Sequence, residues 1–429
     1  MTDPDIRLPK QSFVNKIPFY YGWIILGIAS LTTFISGPGQ TYSISLFIEP
    51  IRQELGLSLT EIAGLYTLGS LLAAIFVVFI GKLIDKLGTR IMTVSIAAIF
   101  GASTLWMSTI SNSLELFSGF VALRTFGQGA LSLIPATLIA IWFVRHRGKA
   151  MSINLLGSAA GRAILPPLNH VLIMAFGWRK TWQVFTGCIW FMFLPIALLA
   201  IRRSPESIGT KPDGDGFANN QTGTKINRTS SPAHSGWSLN EAMQTKAFWL
   251  LLIAGSSPSL ISTGLTFLQM PLLTARGLDP GIAASIFSVS AFAALSGSLL
   301  GGILSDKIPN RYLTAIGQVG MILCILMILN VNSVWQAIVY GIILGGTGGF
   351  AHAVYSVIFA NYYGRTYIGS IQGAATCMMV ASSALGPLSI SFVSDLINSF
   401  DQAILLFVIL PIICIIAALA ASPPTKGKP

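Results

Sequence analysis

Two arginines stand where arginines are costly. Arg124 lies in LRTFGQGA (123–130) and Arg162 in GSAAGRAILPPLN (157–169), both within long apolar runs. A guanidinium is a permanent cation whose planar fork of donors matches a carboxylate better than an ammonium does. In the middle of a helix surrounded by hydrocarbon it costs about 2.5–3.5 kcal/mol on insertion scales, so it faces protein or water and takes a partner. The sequence supplies no anion at that depth. All 15 Asp and Glu fall in loops or at the ends of apolar runs. An unpaired buried guanidinium is expensive, and a bound anion would relieve Arg162; a structural or proton-coupling role is the alternative. For Arg124, pairing with a polar neighbour or backbone carbonyl stands beside a substrate role. Counting 1.5 Å per residue from the nearest loop, Arg162 is expected near mid-depth and Arg124 closer to the opposite surface.

Lesser candidates accompany them. The break Gly37-Pro38-Gly39 frees backbone groups near Gln40 and Tyr42. His352 titrates near neutral pH if unperturbed, and Gln269, Tyr355 and Gln372 are further polar groups in apolar runs, each also readable as a packing or interhelical residue. No metal-binding constellation, nucleotide loop or nucleophile–base pair occurs. Enzymatic activity, a metal and a cofactor are therefore not expected.

The elements that position these groups follow from composition. The chain has 429 residues, 53% hydrophobic and 10% charged, with mean hydropathy +0.72; soluble chains carry about a quarter charged residues. Apolar runs long enough to span a bilayer are predicted near 20–47, 57–80, 91–110, 117–143, 149–175, 182–201, 247–270, 281–304, 312–331, 334–359, 369–393 and 402–421. The fold class is an all-α membrane protein. Residues 1–201 and 247–429 form two six-helix halves, and 202–246, rich in Gly, Asn, Ser and Thr, reads as a linker with little fixed structure. Met1 to Lys16 lacks the features of a cleaved signal peptide.

Charge fixes orientation. With both termini and the linker cytoplasmic, 20 of the 26 Lys and Arg fall inside and four (Arg52, Arg179, Lys180, Arg276) outside. The net charge of +11 reflects this topology, and nucleic acid is not an expected partner. The plasma (inner) membrane is the expected location. In a cytoplasmic linker the sequons at Asn220 and Asn227 stay unmodified. The four cysteines, in apolar runs without paired spacing, read as packing residues.

A repeat links the halves. GKLIDKLGTR (81–90) matches GILSDKIPNR (302–311) at an offset of 221, which also places Gly148 on Gly369 and Pro166 on Pro387. The same offset maps Arg162 onto Ser383 and Arg124 onto Gly345. The loop charges are thus symmetric and the intramembrane cations are not. Parallel six-helix repeats are the plan of alternating-access carriers. Asp85, at the end of its helix, is opposed by that helix's dipole and needs Lys86, Arg90 or a neighbouring helix N-terminus.

In these residues, with LRTFGQGA in span 4, the chain resembles the major facilitator superfamily over essentially its full length. YGWIILGIASL, WFVRHRGKAMSI, GWRKTW, EAMQTKAFWLL and YYGRTYIGSIQG resemble its monocarboxylate and oxalate:formate branch. The resemblance implies a monomeric secondary active transporter of a small organic anion, a mono- or dicarboxylate, in the lipid bilayer. A proton or counter-anion is the implied co-substrate. It also implies that the spans carrying Gln269, His352, Tyr355 and Gln372 line the cavity, and that span 5, with its GSAAG, packs on span 8. Asp85 and Asp306, with Lys86, Arg90, Lys307 and Arg311, would form gating latches against the turns at Gly369 and Gly148. One departure matters: the branch's substrate cations come from spans 8 and 11, which here hold no Lys or Arg. An exporter of drug-like or neutral metabolites, or a non-transporting sensor on the same fold, are the alternatives.

Overall fold

The computed structural model describes residues 19–214, 237–364 and 368–424. Asn220 and Asn227 lie outside the described residues, and so does the side chain of Asp85. Twelve helices among the described residues are long and apolar enough to cross a membrane. Spans 1 to 6 are Gly22–Leu55, Leu59–Ile84, Thr89–Met107, Ser113–Trp142, Gly148–Phe176 and Trp178–Ala200. Spans 7 to 12 are Lys246–Ala275, Pro280–Ser305, Asn310–Leu329, Val334–Tyr363, Ser370–Ile397 and Phe400–Ala420. In hydrocarbon every backbone polar group must be satisfied within the protein, which is why apolar runs of this length become helices. Polar residues at the ends take over where helical bonds run out. Ser58 and Glu61 form a reciprocal capping box before span 2, Asn112 accepts from the Glu115 N–H before span 4, and Asp279 accepts from Gly281 and Ile282 before span 8.

Four of the described spans depart from regular winding: span 6 is π-helical over Cys188–Phe193, span 12 breaks at residues 407–408, and the other two are spans 1 and 4. Span 1 is interrupted by a 3₁₀ turn at Gly37–Gly39, after which the helix resumes at Thr41. Span 4 winds as a π-helix over Leu123–Ala130, the LRTFGQGA stretch. The irregularities of spans 1 and 4 face each other. A side chain at Gly39 would stand 2.5 Å from the Leu123 carbonyl oxygen and 2.9 Å from the Gly127 Cα. Only glycine permits this crossing.

The helices form two six-helix bundles. Span 5 packs against span 8, span 2 against span 11 and span 1 against span 7. The glycines of GSAAG serve a different neighbour: a side chain at Gly157 would meet the Ser30 carbonyl at 2.4 Å, so this stripe admits span 1. The described hydrogen bonds between bundles are Ser45 Oγ to the Phe267 carbonyl (2.9 Å), Thr67 Oγ1 to the Ala384 carbonyl (2.8 Å) and Ser288 Oγ to the Ala163 carbonyl. Tyr66 and Phe267 also stack across the seam at 4.6 Å. All of these lie at mid-depth or beyond, away from the end where the linker joins spans 6 and 7.

That linker end is built differently. Tyr20 Oη donates to the Trp142 carbonyl (2.6 Å) and Tyr21 Oη to the Ala200 carbonyl (2.7 Å), and Trp23 meets Phe143 edge-on. The described part of the linker after span 6 is ordered, contrary to its composition. Asp213, at φ 62°, accepts from the N–H groups of Val144, Arg145 and His146 at 2.9, 2.6 and 3.1 Å. These N–H groups belong to the loop before span 5, whose N-cap is His146. The other end is fixed by a Ser238–Glu241 capping box ahead of span 7. The cysteines divide: Cys324 and Cys414 are buried, Cys188 is half-buried, and Cys377 is exposed rather than packed.

Candidate functional site

Arg124 projects from the π-helical stretch of span 4. Its Nε donates to Ser70 Oγ of span 2 (3.0 Å) and its Nη1 to Thr41 Oγ1 of span 1 (3.3 Å). Its guanidinium carbon stands 5.0 Å over the Tyr66 ring, a cation–π contact. Tyr66 and Thr41 share a hydrogen bond of 2.7 Å that fixes both. All of these partners are neutral. Nη2 has no protein partner among the described residues. Although only 7% exposed, Arg124 forms part of the wall of a 450 Å³ cavity between the bundles. A cation held by hydroxyls and an aromatic face keeps its whole charge.

The remainder of that cavity is lined by polar side chains, His352 among them, and by apolar ones such as Phe359 and Met379. Gln128 stands one turn after Arg124, and its Oε1 has no hydrogen-bond partner. Across the seam stand Ser259, exposed His352, Gln372 and Ser383. Gln372 donates to the Ser356 carbonyl at 3.1 Å, and Ser383 shares a hydrogen bond with Thr263 at 2.9 Å. Phe359 and Gln372 are near the linker-side ends of spans 10 and 11, and both line the cavity. The cavity is therefore reached from the linker end, while the far end is closed by the cross-bundle contacts above.

Arg162 is placed elsewhere. It is half-buried on span 5, next to Gly161, against which the Tyr42 hydroxyl lies. The titratable side chains beside it are the phenols of Tyr42 and Tyr340, one from each bundle. Arg162 Nε and Tyr340 Oη are both buried without a partner. Thr41 holds Arg124 and Tyr42 adjoins Arg162. The two cations therefore border the same turn of span 1, one beside Thr41 and one beside Tyr42.

The remaining candidates scatter. Gln40 donates to Ser36 and Ser132 (3.2 and 3.3 Å), tying span 1 to span 4. Gln269 is fully buried, donating to the Ala283 carbonyl of span 8 at 3.2 Å, with its Oε1 unpartnered. Lys86, Asp306 and Lys307 are exposed. Arg90 donates to the Leu198 carbonyl (3.0 Å), and Arg311 to its neighbour Tyr312 (2.9 Å). A side chain at Gly148, the expected latch site for Asp306, would meet nothing within 4 Å. Sequence reasoning missed Gln128, Ser259 and Ser383. Gln128 was within reach, because a residue four after Arg124 shares its helix face.

Comparison with known proteins completes the description. A profile of the Major Facilitator Superfamily matches residues 29–284 and 252–429. Monocarboxylate transporter 2 of Mesocricetus auratus is 24% identical over 86% of this chain and 77% of its own length. A riboflavin transporter of Trypanosoma brucei brucei is 27% identical over 52% of this chain, which spans only 42% of that protein. A probable L-galactonate transporter of Escherichia coli is 24% identical over 71% of this chain and 65% of its own. Among solved structures, a bacterial homolog of the human lysosomal transporter Spinster, inward-facing and unoccupied, superimposes with TM-score 0.72 at 14% identity. That match covers 94% of this chain and 97% of that one.

Proposed function

The chain belongs to the major facilitator superfamily, and on that premise we propose that it carries a small organic anion across the membrane by alternating access, with Arg124 receiving the anion's charge. Membership makes it a membrane transporter of small molecules, not an enzyme. The anion is our reading, and one observation carries it. Arg124 stands in the wall of the central cavity with hydroxyls and an aromatic ring as its described partners and a guanidinium nitrogen unspent. A low-dielectric cavity with an uncompensated cation favours an anionic ligand and disfavours a cationic one. Relatives named for monocarboxylates and L-galactonate agree with this choice. With the linker end cytoplasmic, as the loop charges favour, the cavity opens inward. Arg162 is the second cation of the site, engaged when the bundles rock and the seam at Tyr42 and Tyr340 opens. The gating charges, including Asp85 and Asp306, are the latches of the opposite state.

Ligand binding tests the reading. A bound ligand raises apparent thermal stability with the logarithm of its concentration over its Kd, and a charge-assisted hydrogen bond is worth about 1.5–3 kcal/mol. We expect short carboxylates to stabilise the detergent-solubilised protein. Arg124→Gln is expected to need roughly ten- to a hundredfold more ligand for the same shift. Equal shifts in wild type and variant would remove Arg124 from the site.

A further inference from the structure

The charge of the central cavity is able to change. Its charged and titratable lining consists of Arg124 on the N-terminal bundle and His352 and Tyr355 on span 10 of the C-terminal bundle; no described carboxylate lines it. His352 is exposed, and it also borders a smaller cavity of 140 Å³ between spans 7, 9, 10 and 11, whose other polar side chains are Ser259, Ser262, Thr314, Gln318 and Tyr355. Span 8 packs along span 10 and has no titratable side chain between Pro280 and Ser305. Among the described groups lining the two cavities, the one permanent charge near the imidazole is therefore that of Arg124.

The other polar groups on the C-terminal wall of the central cavity already have partners. Ser259 Oγ donates to the Gly255 carbonyl (3.4 Å), Ser356 Oγ to Ala353 (2.7 Å), Thr376 Oγ1 to Gln372 (2.8 Å) and the Gln372 amide to Ser356 (3.1 Å). Ser383 shares a hydrogen bond with Thr263, and Tyr355 Oη donates to the Leu251 carbonyl. Among the described residues none is hydrogen-bonded to the His352 imidazole. Imidazole is the side chain whose ordinary titration lies between pH 5 and 8. Neutral, it leaves the cavity one cation; protonated from the water at the open linker end, it gives the cavity two, one on each bundle. That difference is felt by a ligand without direct contact. At an effective dielectric of about 20, unit charges about 8 Å apart change a binding constant roughly thirtyfold.

We propose that His352 is a switchable cation that sets the valence of the anion bound with Arg124: a monoanion when the imidazole is neutral, a dianion when it is protonated. This rests on the organic-anion reading above and adds to it the charge of the cargo. Proton and dianion favour each other's binding by the same factor. A dianion therefore enters with a proton, whereas a monoanion needs none.

Sulfonates test this, because their charge stays fixed while imidazole titrates: ethanesulfonate is the monoanion and 1,2-ethanedisulfonate the dianion. Affinities are read from thermal-shift titrations of the detergent-solubilised protein at about pH 5.5 and about pH 8.5. In wild type the affinity ratio of disulfonate to monosulfonate is expected to rise at least tenfold at the lower pH. In His352→Gln it should stay at the value that wild type shows at the higher pH. Wild type in weakly buffered solution near neutral pH should also take up protons on binding the disulfonate, a readout that does not depend on the variant folding. A wild-type ratio that is the same at both pH values, disulfonate binding without proton uptake, or a glutamine variant whose ratio still rises would each overturn the proposal. Binding of neither sulfonate at either pH would overturn it too. Sulfonate binding undiminished in Arg124→Gln would instead remove the organic-anion reading, and the switch with it.

Discussion

At the scale of residues, two arginines with the same cost in the sequence have different surroundings in the fold. Arg124 is held by Ser70, Thr41 and Tyr66 and stands in the cavity wall. Arg162 has an unpartnered Nε and phenols for electrostatic neighbours. The sequence disclosed both cations and the lack of acids near them, because charge and apolar context are local properties. It did not disclose which one faced the cavity. That depends on the π-helical winding of span 4 and the break in span 1, which periodicity alone does not reveal. The contrast gives a prediction. Removing a half-buried charge whose Nε is buried without a partner removes a desolvation cost. Arg162→Met is therefore expected to melt no lower than wild type, yet to transport at least tenfold more slowly. A lower melting temperature with normal transport would make Arg162 a structural residue.

At the scale of elements, the branch-like segments turn out to hold helix ends in place. The Trp178 indole and the Arg179 guanidinium of GWRKTW both donate to Glu54 at the end of span 1, at 2.6 and 2.8 Å. Tyr21, which opens the first segment, fastens span 6, and Tyr20 just before it fastens span 4. Their resemblance to a transporter branch was legible, but their role as staples needed the fold. The crossing of spans 1 and 4 is a close backbone approach beside Arg124. Gly39→Ala must push against backbone on span 4, an overpacking that costs roughly 1–3 kcal/mol, so a lower melting temperature is expected. The linker, which composition alone left without structure, supplies a pH prediction. Burial pushes the Asp213 carboxyl up, but the N–H groups of Arg145, His146 and Val144 and the His146 charge outweigh it, holding the pKa below the ordinary 3.8. The clasp is therefore complete above that ordinary value and is lost only as pH falls through the depressed one. Amide exchange at Val144, Arg145 and His146 should stay protected from about pH 8 to about pH 5. In Asp213→Ala that protection should disappear throughout the range; persistence in the variant would show that Asp213 does not hold the loop.

At the scale of the whole molecule, twelve spans and an offset of 221 residues were readable because hydrophobic length and a repeated charged loop need no tertiary information. The state of the molecule was not readable. Closure at the far end rests on contacts between residues more than 100 positions apart, such as Thr67 with Ala384 and Ser45 with Phe267. With that end closed and Arg124 in a cavity open at the linker end, an anion released from the site would leave on the linker side. Counterflow in proteoliposomes tests the anion reading most directly, because exchange needs a complete carrier cycle but no driving gradient. Vesicles loaded with an unlabelled carboxylate are expected to accumulate the labelled one, and to exchange its primary amide at least tenfold more slowly. Arg124→Gln should lose that preference. Equal exchange of carboxylate and amide by wild type, or undiminished carboxylate exchange by Arg124→Gln, would contradict an anion carried on Arg124.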